Sequence, residues 1–232
     1  MLIRIVNTSK LTSSDIESLS VHIEKNMLKK ISRKHMIQDQ INSIAGVGFT
    51  KKLLSQKFHI SEGKIIFSTN AYGKPQANFP EMNFNWSHSG SFVAIIISEK
   101  SAVGVDVEQI KVIKHNIDDF VKNQFPLIEN QYYDGEPDSK KLEVFYRLWV
   151  SNEAFLKQMG IGLLYGMEFF DLYIMKKYSC IIRTKSGIAM PIWWNELSSN
   201  NERLSVAACG FDMNERVTLL VCDGHDLLRS IK

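Results

Sequence analysis

The stretch Ala102-Val-Gly-Val-Asp-Val-Glu108 lies near the middle of the chain and reads as a β-strand. Val103, Val105 and Val107 alternate with Gly104, Asp106 and Glu108, the period of two that sends successive side chains to opposite faces. Upstream, KIIFS (64–68), MNFNWS (82–87) and FVAIIIS (92–98) are short β-rich runs separated by turn residues. Further upstream the periodicity is helical. One helix is predicted from about Ser14 to Ile31, opened by a Ser14-x-x-Glu17 capping box. Another is predicted from about Met36 to Lys57, weakened in its middle by Gly46 and Gly48. Downstream the order repeats. A helical segment near Ile117 to Phe125 is interrupted by the acidic turn YDGEPDS, and a long helix from about Lys140 to Met159 stops at Gly160 and Gly162. Five β-like runs follow: FFDLYIM, SCIIRT, IAMPIWW, LSVAAC and RVTLLVC. Helices first and strands second, twice over, predict an α+β fold of two similar halves, each with helices on a small antiparallel sheet. The halves are residues 1–105 and 106–232, joined near Ala102 to Ile110.

Composition excludes several classes. The 232 residues are 44% hydrophobic and 23% charged, so the chain is neither disordered nor fibrous. A net charge of +3 is too mild for nucleic acid as the main partner. The longest strongly apolar run, Phe92 to Ile97, is far short of a membrane span, and the opening MLIRIVNTSK carries no extended apolar leader segment. Cys180, Cys209 and Cys222 form neither a disulfide framework nor a CxxC pair, which makes a reducing cytoplasm the default compartment.

Five segments carry residues suited to chemistry. Asp106 and Glu108 share one strand face about 7 Å apart at their Cα atoms, close enough to converge on one hard cation such as Mg²⁺. The same pair would also suit a solvated strand face. Trp149, Glu153 and Lys157 follow at helical spacing along one stripe; a plain surface Glu–Lys pair is the ordinary alternative. NWSHSGS (85–91) reads as a hairpin turn that presents Ser87 and His88 as donors for a phosphate. AYGKP (71–75) reads as a rigid turn with an exposed lysine. A basic run, Lys25, Lys29, Lys30, Arg33 and Lys34, suits either a phosphate or a solvated helix face.

The order of these segments is more specific than any one of them. Gly-Lys-Pro, then Asn-x-Ser-His-Ser, then Gly-Val-Asp-Val-Glu, then Phe-Tyr-x-x-Trp-x-x-x-Glu-Ala-x-x-Lys-x-x-Gly-x-Gly-Leu resembles the 4′-phosphopantetheinyl transferases of the surfactin-synthetase-activating (Sfp-like) type. The resemblance runs from about Ile37 to Phe170. It implies a monomeric pseudo-dimer of two α+β halves with the active site at their interface. It implies Asp106, Glu108 and Glu153 as Mg²⁺ ligands, with Mn²⁺ an open alternative, and Lys157 at the pyrophosphate of coenzyme A. Ser87 and His88 would contact coenzyme A phosphates, and Tyr72, Gly73, Lys74 and Pro75 would lie by the adenine. Ser43 would help hold the 3′-phosphate, assisted by Lys29, Lys30 or Arg33, and Glu129 in FPLIE matches a further family glutamate.

The activity implied is transfer of the phosphopantetheinyl arm from coenzyme A to a serine of an apo carrier protein, releasing 3′,5′-ADP. Glu153 would be the base, directly or through a water, with Lys157 and His88 neutralising phosphate charge. The partners would be peptidyl, acyl or aryl carrier domains, with no nucleic acid and no membrane. Two residues depart from the family pattern: Asn152 stands where a lysine is usual, and Asn42 where a basic residue is frequent. Both remove positive charge, which motivates an alternative: a catalytically impaired homologue that binds coenzyme A or a carrier. A Mg²⁺-dependent phosphohydrolase is a third reading of the Asp-x-Glu strand alone.

Overall fold

A computed structural model describes every residue except 114–115, 163–166, 168–169, 177–178, 186, 188, 211–216 and 232. The expected Leu163, Phe169, Ile188 and Arg216 ends of the motif and strand readings therefore lie outside the described residues. The chain is α+β and packs as two units, one formed by Met1–Ala102 with Arg216–Lys232 and the other by Val103–Glu215. Sequence periodicity placed the join a few residues later and kept the C-terminal segment with the second half.

In the first unit β1 (Leu2–Asn7) is followed by α1 (Ser13–Ser20), α2 (Lys25–Ile31) and α3 (Ile37–Phe58). The single helix expected over 14–31 is thus two. The cap also differs: Thr12 is the N-cap, and its hydroxyl and backbone pair reciprocally with Asp15 rather than Ser14 with Glu17. The strands are β2 (Phe67–Thr69), β3 (Pro75–Ala77), β4 (Asn83–Ser89) and β5 (Phe92–Ser98), with β2 and β3 forming a separate hairpin. The last strand, β11 (Thr218–Asp223), and the helix α7 (Gly224–Ser230) return to this unit. The four-stranded sheet has the order β11-β1-β5-β4, and β11 runs parallel to β1 with Leu2 opposite Thr218. That parallel edge departs from the wholly antiparallel sheet expected.

Gly46 and Gly48 do not weaken α3; they let it approach its neighbours. A Cβ at Gly46 would meet the Trp86 indole at 2.8 Å, and one at Gly48 the Leu19 carbonyl at 2.6 Å. Val6, Leu19, Ala45, Phe49, Val93 and Ile95 fill the core between α3 and the sheet.

The second unit holds β6 (Gly104–Gln109), α4 (Ile117–Gln124), α5 (Leu127–Asp134), α6 (Asp138–Met159), β7 (Phe170–Lys176), β8 (Ser179–Thr184), β9 (Ala189–Ser199) and β10 (Glu202–Cys209). Its five strands are antiparallel in the order β6-β10-β9-β8-β7. Helix α6 ends as expected, with Gly160 at φ 71°, the left-handed cap glycine adopts without a Cβ penalty. Its buried residues, Leu148, Phe155 and Leu156 among them, pack against Ile182, Ile192 and Ala207 of the sheet. Among the described residues no helix is long and apolar enough to cross a membrane.

Candidate functional site

In the second unit the GVDVE strand is β6, and its glycine explains how α6 reaches it. A Cβ at Gly104 would collide with the Ala154 carbonyl and the Gln158 amide, so the α6 backbone lies directly on the strand there. Asp106 and Glu108 occupy the same face as Gly104 by the strand period, the face turned to α6. Asp106 pairs in register with Ala207 and Glu108 with Ser205. From α6, Lys157 extends its ammonium to 2.5 Å from Asp106 Oδ1. Glu153, one turn earlier, is buried. Burial, followed by the negative charges of Asp106 and Glu108, pushes its carboxyl up to about 7, with Lys157 pulling the other way. Asp106 and Glu108 are thus both near enough for their charge to act on Glu153. Trp149 lies one turn before Glu153 and packs on Phe120 and Phe145.

These residues suit a hard divalent cation in kind: three carboxylates supply oxygen donors, and Glu153 Oε1 is buried without a hydrogen-bond partner among the described residues. In their present placement, no group of three or more acidic, histidine or cysteine side chains among the described residues is arranged to hold a metal. Lys157 supplies the positive charge beside Asp106.

In the first unit, Ser87 and His88 lie on strand β4 rather than in a turn; the turn is at Gly90. Neighbouring residues of a strand point to opposite faces, so His88 shares its face with Phe84 and Trp86 and Ser87 does not. Lys34, which follows α2, brings its ammonium to 3.4 Å from His88 Nε2. Lys29, Lys30 and Arg33 show no such approach among the described contacts. The Ser43 hydroxyl donates to the Asp39 carbonyl one turn back at 2.6 Å and is buried.

The Tyr72-Gly73-Lys74-Pro75 segment is the tip of the β2–β3 hairpin. Asn70 builds it: its side-chain oxygen accepts the Tyr72 and Lys74 amides at 2.9 and 2.8 Å, the local bond that makes asparagine a turn residue. Gly73 takes φ 89°, a conformation that favours glycine. Tyr72 is exposed.

The base of the hairpin is tied down by a buried lysine that periodicity did not single out. Lys51 on α3 is 1% exposed, and its ammonium donates to the His22 carbonyl (2.6 Å), Glu24 Oε1 (2.7 Å) and the Ile65 carbonyl (2.8 Å). Glu24 Oε1 also accepts the Phe67 amide of β2 at 2.8 Å. Phe67 stacks on Phe84 with ring centroids 4.6 Å apart, and Phe84 on Trp86 at 5.8 Å. The hairpin is thereby fixed to the strand that carries His88. Standing between Thr50 and Lys52, Lys51 carries no local signal of burial.

Both asparagines that depart from the family pattern are fully buried. Asn42 accepts the Thr8 hydroxyl (2.7 Å) and the Gln38 amide (3.0 Å) and donates to the Gly90 carbonyl (2.8 Å), latching α3 to the β4–β5 turn. Asn152 donates to Glu129 Oε2 at 2.7 Å.

Comparison with known proteins agrees with this layout. Residues 102–209 match the profile of the 4′-phosphopantetheinyl transferase superfamily, and residues 10–100 match that of a 4′-phosphopantetheinyl transferase N-terminal domain. The 4′-phosphopantetheinyl transferase Sfp of Bacillus subtilis is 28% identical over 163 residues, 70% of this chain and 71% of that protein. The transferase psf-1 of Bacillus pumilus is 28% identical over 169 residues, 72% of this chain and 71% of its own length. The transferase gsp of Aneurinibacillus migulanus is 31% identical over 147 residues, 62% of this chain and 59% of that protein. With both halves matched in order, and the acidic strand and the glutamate helix packed face to face, the chain belongs to the 4′-phosphopantetheinyl transferase superfamily.

Proposed function

We propose that the chain transfers the 4′-phosphopantetheinyl arm of coenzyme A to a serine hydroxyl of an apo carrier protein and releases 3′,5′-ADP. The observation that carries this reading is the grouping of Asp106, Glu108 and Glu153 with Lys157 where α6 crosses β6. A buried glutamate opposed by two further carboxylates, with a lysine alongside, suits a cation and a phosphate better than solvent.

Asp106, Glu108 and Glu153 would hold Mg²⁺, or Mn²⁺, which takes the same oxygen donors. When bound, that ion supplies positive charge for the donor's pyrophosphate. The remaining steps belong to the chain's own side chains. Lys157 neutralises charge on the transferring phosphoryl group, and His88 with Lys34 holds a donor phosphate. Tyr72, Gly73, Lys74 and Pro75 form the hairpin tip that meets the adenine, with Ser43 at the 3′-phosphate. Serine is a weak nucleophile at neutral pH and needs a base. Glu153 accepts its proton, directly or through a water, as the serine oxygen bonds to the β-phosphorus and the bond to 3′,5′-ADP breaks. Positioning and charge stabilisation supply most of the rate in phosphoryl transfer. The acceptors would be peptidyl, acyl or aryl carrier domains, served by a monomer.

The impaired-homologue alternative drew on the charge missing at Asn42 and Asn152. Both side chains are bonded inside their own unit, and neither supplies a charge there. The test is to incubate the protein with coenzyme A, Mg²⁺ and apo carriers of each type and weigh the carriers. A gain of one phosphopantetheinyl group on at least one carrier is expected. A folded protein that loads none of them, while binding coenzyme A, would establish the impaired homologue instead.

A further inference from the structure

Glu129, on α5, has none of its surface exposed to solvent. Its carboxyl group nevertheless joins three elements. Oε2 accepts the Asn152 side-chain amide of α6 at 2.7 Å, and Oε1 accepts the Leu172 backbone amide of β7 at 3.3 Å. Both donors are uncharged. Among the described residues no ion pair reaches Glu129. The charged neighbour acting on it is Asp171 of β7, which has the same sign. The Cys180 thiol of β8 lies near and is itself held up by burial. Arg147 of α6 donates to the Cys180 sulfur at 3.7 Å and lies over the Trp194 ring at 4.6 Å. An ionised carboxylate with this company would carry the full cost of burying an unpaired charge. Burial pushes the Glu129 carboxyl up to about 8, against the opposing pull of its two hydrogen bonds.

The partner of this acid has a particular place in the chain: Asn152 immediately precedes Glu153. Consecutive helical residues are related by a fixed rotation of about 100° and a rise of about 1.5 Å. Anchoring Asn152 therefore sets the rotation and height of the turn that carries Glu153.

We propose that Glu129 is a positioning residue for the transfer reaction, held as the uncharged acid, whose bond to Asn152 locks α6 so that Glu153 faces Asp106 and Glu108. This rests on the reading of Glu153 given above. It also gives Asn152 a role of its own: an uncharged acid needs an acceptor for its proton, and the Asn152 amide, turned end for end, offers Oδ1, which is otherwise buried without a hydrogen-bond partner among the described residues.

The test pairs kinetics with spectroscopy on the full chain. Glu129→Ala and, separately, Asn152→Ala are expected to lower kcat by about 10- to 100-fold, the scale of a misplaced reacting group. KM for coenzyme A should stay within about twofold, since neither side chain reaches the donor. Glu129→Gln puts an NH2 where the acid's O–H stood, facing the same Asn152 oxygen while its own oxygen keeps the Leu172 amide, and is expected to recover most of the lost kcat. The wild-type minus Glu129→Gln infrared difference spectrum at neutral pH should contain the carbonyl band of a protonated carboxylic acid. A carboxylate band pair in its place would overturn the uncharged state. Unchanged kcat in folded Glu129→Ala and Asn152→Ala would overturn the positioning role, as would a Glu129→Gln protein as impaired as Glu129→Ala. Wild-type protein that loads no carrier would instead sink the transferase reading, and the infrared band would still report on the acid.

Discussion

Lys157 and Asp106 form an ion pair at 2.5 Å between the last turn of α6 and the middle of β6, with the Asp106 side chain 3% exposed and that of Lys157 28%. The acid is thus committed to the interior while the lysine spans from it to solvent. Asp106→Ala is expected to abolish carrier loading, a loss of at least about 1,000-fold in kcat/KM, because it removes one of three acids and the carboxylate that orients Lys157. Carrier mass after single-turnover incubation reads this directly. Activity within tenfold of wild type would remove Asp106 from the site. Chelation with EDTA should likewise stop loading, and added Mg²⁺ should restore it.

Lys51 and Glu24 hold the β2–β3 hairpin from beneath. Lys51→Met leaves Glu24 and two backbone carbonyls without their donor, so a cost of about 3 kcal/mol is expected. Because the hairpin tip is assigned to the adenine, KM for coenzyme A should rise about tenfold while kcat changes less than about twofold. Amide hydrogen exchange at Phe67 and Thr69 should quicken in the same variant. A fall in kcat with KM unmoved would detach the hairpin from the donor.

Lys34 stands beside His88, whereas the family resemblance pointed to Lys29, Lys30 or Arg33 of the same basic run. Lys34→Ala is expected to weaken coenzyme A binding by about 3- to 10-fold, as loss of one charge-assisted phosphate contact should. Lys29→Ala and Arg33→Ala should change it less. Titration calorimetry at low and high salt would separate them, since an exposed phosphate contact fades as salt rises.

Stability should fall at both ends of the pH range, for opposite reasons. Burial raises the Asp15 carboxyl, but the Thr12 amide and hydroxyl and the His225 ring outweigh it and hold Asp15 near 2. A lowered acid contributes stability above its unfolded value near 3.8, and that contribution is lost as pH drops toward 2. Glu129 works the other way. Its carboxyl is raised from 4.5 to about 8, so its contribution is complete below 4.5 and declines as pH rises through 8. In urea titrations across pH, Asp15→Asn should flatten the acid limb and Glu129→Gln the alkaline limb. Each variant flattening neither limb would contradict the assignment.

The elements that announced themselves in sequence are those whose signal is local. Val103, Val105 and Val107 alternate cleanly, and α6 carries Trp149, Glu153 and Lys157 at helical spacing before it stops at Gly160, so both elements were legible. Residues whose role depends on a distant partner were not. Strand β1 passed unread because its six residues acquire meaning only from β5 and from β11, more than 200 positions later. Ser87 and His88 looked like a turn because polar residues alternate along β4. Asn42 and Asn152 looked like missing charges because no local pattern says that a side chain points inward to Gly90 or Glu129. The break between α1 and α2 was hidden by apolar residues at helical spacing on both sides of it.

The pairing of β11 with β1 bears on how the protein is made. The ribosome delivers Leu2–Asn7 long before Thr218–Asp223, with the entire sequence of the second unit emerging between them. Until then β1 has β5 on one side and an unfilled row of amides and carbonyls on the other, the kind of edge that recruits stray strands. A nascent or C-terminally clipped chain lacking those residues would therefore present an aggregation-prone border, and a chaperone would have most reason to attend to it there.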